Sequence, residues 1–274
     1  MVSITGTEFL HNEDEFVKTF GVHIIHQTWK CAEIPPKAEH LVESWRKNHP
    51  ECLHILWTDN DNRMLVKTHY PQYLELYDEY PLVIHQVDIA RCLYLHRYGG
   101  IYADIDYESK VNIFEQIQQL KQPEQTIFLV ESAYLRYEYF QNSLMIALVP
   151  KHPIWIKICE NSSSIMDSVK NLWQFNNFFT KKLMYTQYTL QITGPNLLDK
   201  TVLKDFRKDH SVAILPKKQF FLPTIESYAI HHQHKTWVDL TGALSNIIWF
   251  SAFSVFFLLV VCSVIFYYIG KKKQ

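Results

Sequence analysis

The chain has 274 residues, 27 Lys+Arg against 28 Asp+Glu, and a net charge of −1. That length suits one large domain or two small ones and is ample for a core. The balanced charge excludes the basic footprint of a nucleic-acid binder, seven Gly exclude collagen-like and low-complexity classes, and 7 Trp, 16 Tyr and 17 Phe argue against disorder.

Residues 1–21 read as a polar lead-in. Met1 to Phe20 carries Glu8, Glu13, Asp14 and Glu15 and lacks the apolar run of a secretory signal peptide. Val22–His26 is apolar and β-rich and predicts a buried strand. Pro35-Pro36 closes the following loop, and Ala38–Lys47 has helical spacing ended by Asn48-His49-Pro50. Leu53–Trp57 predicts a second strand. Asn62–Tyr80 reads as helices broken at Pro71, and Pro81 opens a helical stretch to Tyr98, ended by Gly99-Gly100. Ile101–Tyr107, Ile127–Glu131 and Val212–Leu215 predict further strands. Helix and strand alternate, which favours an α/β sheet with ligands beyond the carboxyl ends of its strands. Cys31, Cys52, Cys92, Cys159 and Cys262 show no C-x-x-C pair, so a disulfide framework is not expected. Asn161-Ser162-Ser163 is an N-glycosylation sequon.

Ile247–Ile269 is 23 residues without a charge. As a helix it would be about 35 Å long, enough for a ~30 Å hydrocarbon core. Trp249, Tyr267 and Tyr268 stand near its ends, and Lys271, Lys272 and Lys273 follow. This segment predicts a single transmembrane helix, with residues 270–274 as a basic cytoplasmic tail and the larger domain lumenal. Only this last segment offers an insertion signal, so a cytosolic domain with a lumenal tail is the alternative. The tail also resembles the di-lysine retrieval signal of endoplasmic-reticulum membrane proteins.

No G-x-G-x-x-G or G-K-[ST] loop occurs, so a phosphate site must use a metal or basic side chains. Asp88–Asp106 supplies both. On a continuous strand, Tyr102, Asp104 and Asp106 share one face. Two carboxylates at a strand's end suit a hard cation, Mn²⁺ or Mg²⁺, and a diphosphate is a natural further ligand. Asp88 and Arg91 lie three apart on the preceding helix and so share a face, offering a carboxylate to sugar hydroxyls and a guanidinium to phosphate. Taken alone, D-x-D also describes a solvated strand end, and D-x-x-R an ordinary helix ion pair.

D-x-x-R followed by GGIYADID resembles the DXD sugar-binding region of the family 32 glycosyltransferases. Ile24–Lys30, Ile34-Pro35-Pro36, Ser44–Pro50, Ile55–Asp59, Asn142, Val149–Pro153, Thr193-Gly194-Pro195 and His231-His232 with Thr236-Trp237 resemble that family's other blocks. The resemblance covers about residues 22–237 and is nearest the inositol-phosphoceramide mannosyltransferase catalytic subunits. It implies a GT-A-type, Rossmann-like nucleotide-sugar-binding domain over 22–240. It also implies a nucleotide-sugar donor, GDP-mannose or a UDP-hexose, and Mn²⁺ or Mg²⁺ as cofactor. Asp104 and Asp106 would bridge the metal to the donor diphosphate, Asp88 would hold sugar hydroxyls, and Arg91 would contact sugar or phosphate. His26, Trp29, Tyr102, Asn142, Thr236 and Trp237 would line the donor site, with Trp29 stacking on the base. His231 or His232 would complete the metal site, and His232 is taken as the ligand. His85-Gln86 departs from the family's more usual Gln-Arg.

The expected activity is transfer of a hexose, mannose favoured, to a lipid or glycan hydroxyl such as that of inositol phosphoceramide. The resemblance implies retention of configuration, in the Golgi or endoplasmic reticulum. Two rivals stand beside it. A metal-dependent phosphatase or nuclease would need further carboxylates, for which Asp59 and Glu131 are the candidates. A membrane-anchored sugar-binding protein would lack catalysis.

Overall fold

A computed structural model of the chain describes residues 2–132, 140–172 and 189–233. The predicted anchor Ile247–Ile269, together with Thr236 and Trp237, lies outside the described residues. Among the described residues no helix is long and apolar enough to cross a membrane.

The core is a mixed sheet of seven strands in the order β1-β3-β2-β4-β7-β6-β8. These are β1 (Val2–Thr5), β2 (Ile24–Thr28), β3 (Leu53–Trp57), β4 (Gly100–Ala103), β6 (Ile127–Glu131), β7 (Phe140–Ala147) and β8 (Val212–Leu215). The first four run parallel; β7 is antiparallel to both β4 and β6, and β8 is parallel to β6. A separate two-stranded ribbon pairs β5 (Tyr107–Ser109) with β9 (Ala229–His231). Every residue of β2, β3 and β4 is buried, as expected of parallel strands covered on both faces.

Local rules set the helices. In α3 (Pro36–Asn48), Pro36 occupies the first turn, where its missing N–H costs nothing, and Ala38, Leu41, Val42 and Trp45 make the buried stripe. A capping box opens α4 (Asp59–His69): Asp61 N donates to Thr58 Oγ1, and Thr58 N to Asp61 Oδ2 at 2.9 Å. Helix α6 (Val83–Tyr98) is buried along most of its length and packs against α4 and α8 (Pro153–Leu172). It stops at Gly99, and Gly100 follows with φ +91°. A Cβ on Gly100 would sit 2.3 Å from the Ile24 carbonyl oxygen, so only glycine lets β4 start beside β2.

Four sequence expectations change. The opening residues are not a lead-in: they form edge strand β1 and helices α1 (Gly6–His11) and α2 (Glu13–Phe20). Glu13 ties α2 to α6 through Arg97 Nε at 2.8 Å. Strand β7 carries Gln141, Asn142 and Ser143, whose polarity hides it from an apolar-run reading. The strand predicted over Ile101–Tyr107 breaks after Ala103, because Tyr107 N donates back to Asp104 O at 3.0 Å and closes a turn. Finally, the sequon sits inside α8: Asn161 Nδ2 donates to Thr201 Oγ1 at 2.9 Å on α9 (Pro195–Asp205), and Ser162 is fully buried.

Candidate active site

The turn after β4 brings the acidic pair together at the carboxyl end of the parallel strands. Asp104 N donates to Ser143 O of β7 at 2.9 Å, which fixes the turn to the sheet. Ile105 points the other way and packs with Ala38, Val42, Trp29 and Ile34. Beyond the turn, the β5–β9 register sets Tyr107 opposite His231.

Asp104, Asp106 and His231 each offer a ligand atom, and these atoms lie within 4.8 Å of one another. His231 Nε2 is 3.1 Å from Asp106 Oδ1. Its ring is held by a parallel stack on Tyr107, centroids 4.6 Å apart, and by the edge of Phe221 at 5.0 Å. His232 is not at the cluster. Neighbours on an extended chain point to opposite sides, and His232 Nε2 meets Glu108 Oε2 at 3.1 Å instead. The imidazole beside the acidic pair is therefore His231.

Behind this cluster lies a sealed layer. Asp88 and Arg91 are each only 4% exposed at the side chain, and Arg91 Nη2 lies 3.1 Å from Asp88 Oδ1. The same oxygen accepts from Asn142 Nδ2 at 3.0 Å, and Asp88 Oδ2 accepts from Thr193 Oγ1 at 2.8 Å. Arg91 Nη1 donates to Asn142 O at 2.7 Å and lies 3.4 Å from Asp104 Oδ1. Its guanidinium carbon sits 4.6 Å from the Tyr102 ring centre, a cation–π contact. Tyr102 donates its hydroxyl to Asp104 Oδ1 at 2.6 Å.

Burial pushes the Asp88 carboxyl above the ordinary carboxylate range, and Arg91, Thr193 and Asn142 pull it back. Asp104 is likewise raised by burial, with Arg91 opposing and Asp106 reinforcing the shift. Burial would lower Arg91, but Tyr102, Asp104 and Asp88 outweigh it and keep the guanidinium charged.

The donor-site residues divide. Trp29 follows β2 and is partly exposed; it packs with Ile105, Ala38 and Val42, and Lys30 Nζ lies 5.8 Å from its ring centre. Tyr102 is fully buried and supports Asp104 from below. His26 is a core residue. It is fully buried, Trp57 Nε1 donates to its Nδ1 at 3.1 Å, and its Nε2 meets Gly99 O at 3.0 Å. Both nitrogens are taken, the ring stacks on Tyr94, and burial lowers its pKa to about 3. It has no atom to offer a ligand. The sequence reading gave no role to Gln27, whose Nε2 lies 3.4 Å from Asp104 O, or to the Thr193 hydroxyl. Thr193 was legible only as part of a T-G-P block.

The family model described as "Glycosyltransferase sugar-binding region containing DXD motif" matches residues 35–126. The matched region is about a third of the chain. That region holds Asp88, Arg91, Tyr102, Asp104 and Asp106, while Asn142, Thr193 and His231 reach it from β7, the segment before α9 and β9. Inositol phosphoceramide mannosyltransferase 3 of Schizosaccharomyces pombe is 46% identical over 83 residues, 30% of this chain and 23% of that protein. Inositol phosphoceramide mannosyltransferase 1 of the same yeast is 29% identical over 162 residues, 58% of this chain and 45% of that protein. These alignments thus span less than half of the fission-yeast relatives. A glycosyltransferase of Acanthamoeba polyphaga mimivirus is 26% identical over 225 residues, 78% of this chain and 83% of that protein. Among solved structures, PaToxG Glycosyltransferase aligns with a TM-score of 0.47 at 17% identity, covering 74% of this chain and 78% of that one.

Proposed function

We propose that this protein is a metal-dependent glycosyltransferase of GT-A type. It moves a hexose, mannose favoured, from a nucleotide-diphosphate sugar to a hydroxyl of an inositol-phosphoceramide-like lipid or a glycan, with retention of configuration. The observation that carries the reading is the cluster of Asp104, Asp106 and His231 beside the buried Asp88–Arg91 pair. Two carboxylates and one imidazole, with ligand atoms within 4.8 Å, fit Mn²⁺ or Mg²⁺. Tyr102 and Arg91 both address Asp104 Oδ1, which leaves Oδ2 as the oxygen for an ion. A bound ion would supply Lewis-acid stabilisation of the leaving diphosphate.

The chain's own residues do the rest. Arg91 adds a fixed positive charge near the diphosphate. Asp88, held by Asn142 and Thr193, sets Arg91 and acts on the donor through it. Trp29 stacks on the nucleobase at the rim. A two-metal phosphatase or nuclease is less well supported. Asp59 sits in the first turn of α4, and Glu131 pairs with Lys217 at 3.5 Å; neither belongs to the ligand cluster.

Ile247–Ile269 is read as a membrane anchor that holds the domain on the lumenal side of the Golgi or endoplasmic reticulum, next to a lipid acceptor. This orientation follows from the lysines after the apolar run. The Asn161 sequon gives no reading of topology, because its amide is already engaged and its helix is packed.

The test is transfer by the full-length protein in detergent with Mn²⁺. GDP-mannose, UDP-glucose and UDP-galactose are each offered with inositol phosphoceramide, and the product's anomeric configuration is read by NMR. A mannosylated lipid of retained configuration is expected. Release of phosphate with no glycosidic product would refute the reading in favour of a phosphoryl enzyme.

A further inference from the structure

We propose that Thr193 is a positioning residue that sets the orientation of the Asp88–Arg91 pair, through a latch formed by the segment immediately before α9. The inference deepens the transferase reading and rests on it for its kinetic half.

The latch has two ties to one face of α6. Thr189 and Thr193 are four residues apart, which is one helical turn, and residues 189–192 are helical. Their partners on α6, His85 and Asp88, are three apart. Thr189 Oγ1 meets His85 Nε2 at 3.1 Å, and Thr193 Oγ1 donates to Asp88 Oδ2 at 2.8 Å. Thr189, Thr193, His85 and Asp88 are all buried.

The residues after Thr193 hold it there. A Cβ on Gly194 would stand 2.9 Å from Leu190 Cα and 3.2 Å from Thr189 O, so the chain folds back on itself at a spacing only glycine permits. Pro195 then starts α9 at once. Helix α9 is anchored by buried Leu197, Leu198 and Val202, and Asp199 Oδ1 accepts from Phe140 N of β7 at 2.8 Å. Since β7 also carries Asn142, one helix fixes the two neutral donors, Asn142 and Thr193, that join Arg91 in gripping Asp88.

The geometry makes the two Asp88 oxygens unequal. Oδ1 serves Arg91 and Asn142; Oδ2 serves Thr193. Loss of the Thr193 hydroxyl leaves Oδ2 buried without that donor and frees the carboxylate to turn. Arg91 then keeps its bonds to Asn142 O and Asp104 but loses a fixed counter-charge. Such a shift acts on how the donor is held for reaction more than on whether it binds.

The experiment compares Thr193→Val, which keeps the shape and removes the hydroxyl, with Thr193→Ser, which keeps the hydroxyl, in the full-length protein with Mn²⁺ and the accepted donor. Thr193→Ala is carried beside them, so that a folding failure of the valine variant still leaves a hydroxyl-free protein to measure. The Val or Ala variant should lose roughly 10- to 100-fold in kcat per folded molecule, the scale of a hydrogen bond to a charged group, with donor KM changed less than about threefold and Ser within about threefold of wild type. An unchanged kcat per folded molecule, or a serine variant as impaired as valine, would overturn the proposal. A crystal structure of the valine or alanine variant decides the geometric half without turnover. Asp88 turned away from Arg91 supports the latch, and Arg91 and Asp88 in place overturn it. A wild-type protein that consumes no nucleotide sugar would refute the transferase reading instead, and the crystal structure would then judge the latch alone.

Discussion

Asp88 and Asp104 stand either side of Arg91, 3.1 and 3.4 Å from its guanidinium nitrogens, yet they are built differently. Asp88 is 4% exposed and both its oxygens are committed to protein donors; Asp104 is 28% exposed and its contacts crowd onto one oxygen. The inner group is part of the scaffold. The outer group keeps ligating capacity. The difference teaches that the D-x-x-R half of the motif acts by holding geometry, while the D-x-D half acts by what it leaves open. A buried charge survives only if it is paired and hydrogen-bonded, and the inner layer meets that condition with Thr193, Asn142 and Arg91.

The comparison can be broken from either side. Removing the inner cation should damage the fold as well as the chemistry. Arg91→Met leaves Asp88 buried without its charge partner, so about 3–5 kcal/mol of unfolding free energy should disappear, measured by chemical denaturation. A variant as stable as wild type would mean that Asp88 is not held as described.

Acid should also reach the fold through buried imidazoles. His26 and His54 are fully buried and their pKa values are lowered by burial to about 3, against an ordinary 6.5. Below pH 6.5 the unfolded chain takes up protons that the folded chain refuses until about pH 3. Stability therefore falls as pH drops through that window, by about 1.4 kcal/mol per pH unit for each histidine. Denaturation between pH 7 and 4.5 measures the slope, and a flat profile would show that these rings are solvated.

The smallest expected effect separates two neighbours in the outer layer. His231→Ala should weaken Mn²⁺ binding about 10- to 100-fold, the range seen when a metal's supporting group is lost. His232→Ala, at the neighbouring residue that meets Glu108, should change it less than about twofold. Calorimetric titration of Mn²⁺ reads both, and equal effects would erase the distinction that the β5–β9 register makes.

Much of the sheet was legible in the sequence, and the reasons are local. Leu53–Trp57, Ile127–Glu131 and Val212–Leu215 are apolar runs bounded by turn signals, and they are β3, β6 and β8 residue for residue. β7 escaped because Gln141, Asn142 and Ser143 interrupt its apolar pattern, yet the Gln141 and Asn142 side chains reach Ser132 and Asp88, and the Ser143 backbone carbonyl takes Asp104 N. The turn at Asp104 escaped because ADID alternates like a strand; only the return bond from Tyr107 to Asp104 reveals it. The acidic pair and D-x-x-R could be read because their spacing is short. His26 could not be placed, since a histidine in a buried strand looks alike whether it faces a ligand or the Trp57–Tyr94–Tyr98 stack. His231 and His232 needed a partner strand before one could be chosen.

The most direct measurement is Mn²⁺-dependent release of nucleoside diphosphate from a panel of nucleotide sugars, by wild type and Asp104→Asn proteins of matched thermal stability. The account predicts release by wild type, with one donor preferred, and a loss of about 10³-fold or more in the variant, the scale of removing a group that stabilises transition-state charge. Equal turnover by a well-folded Asp104→Asn protein would contradict it.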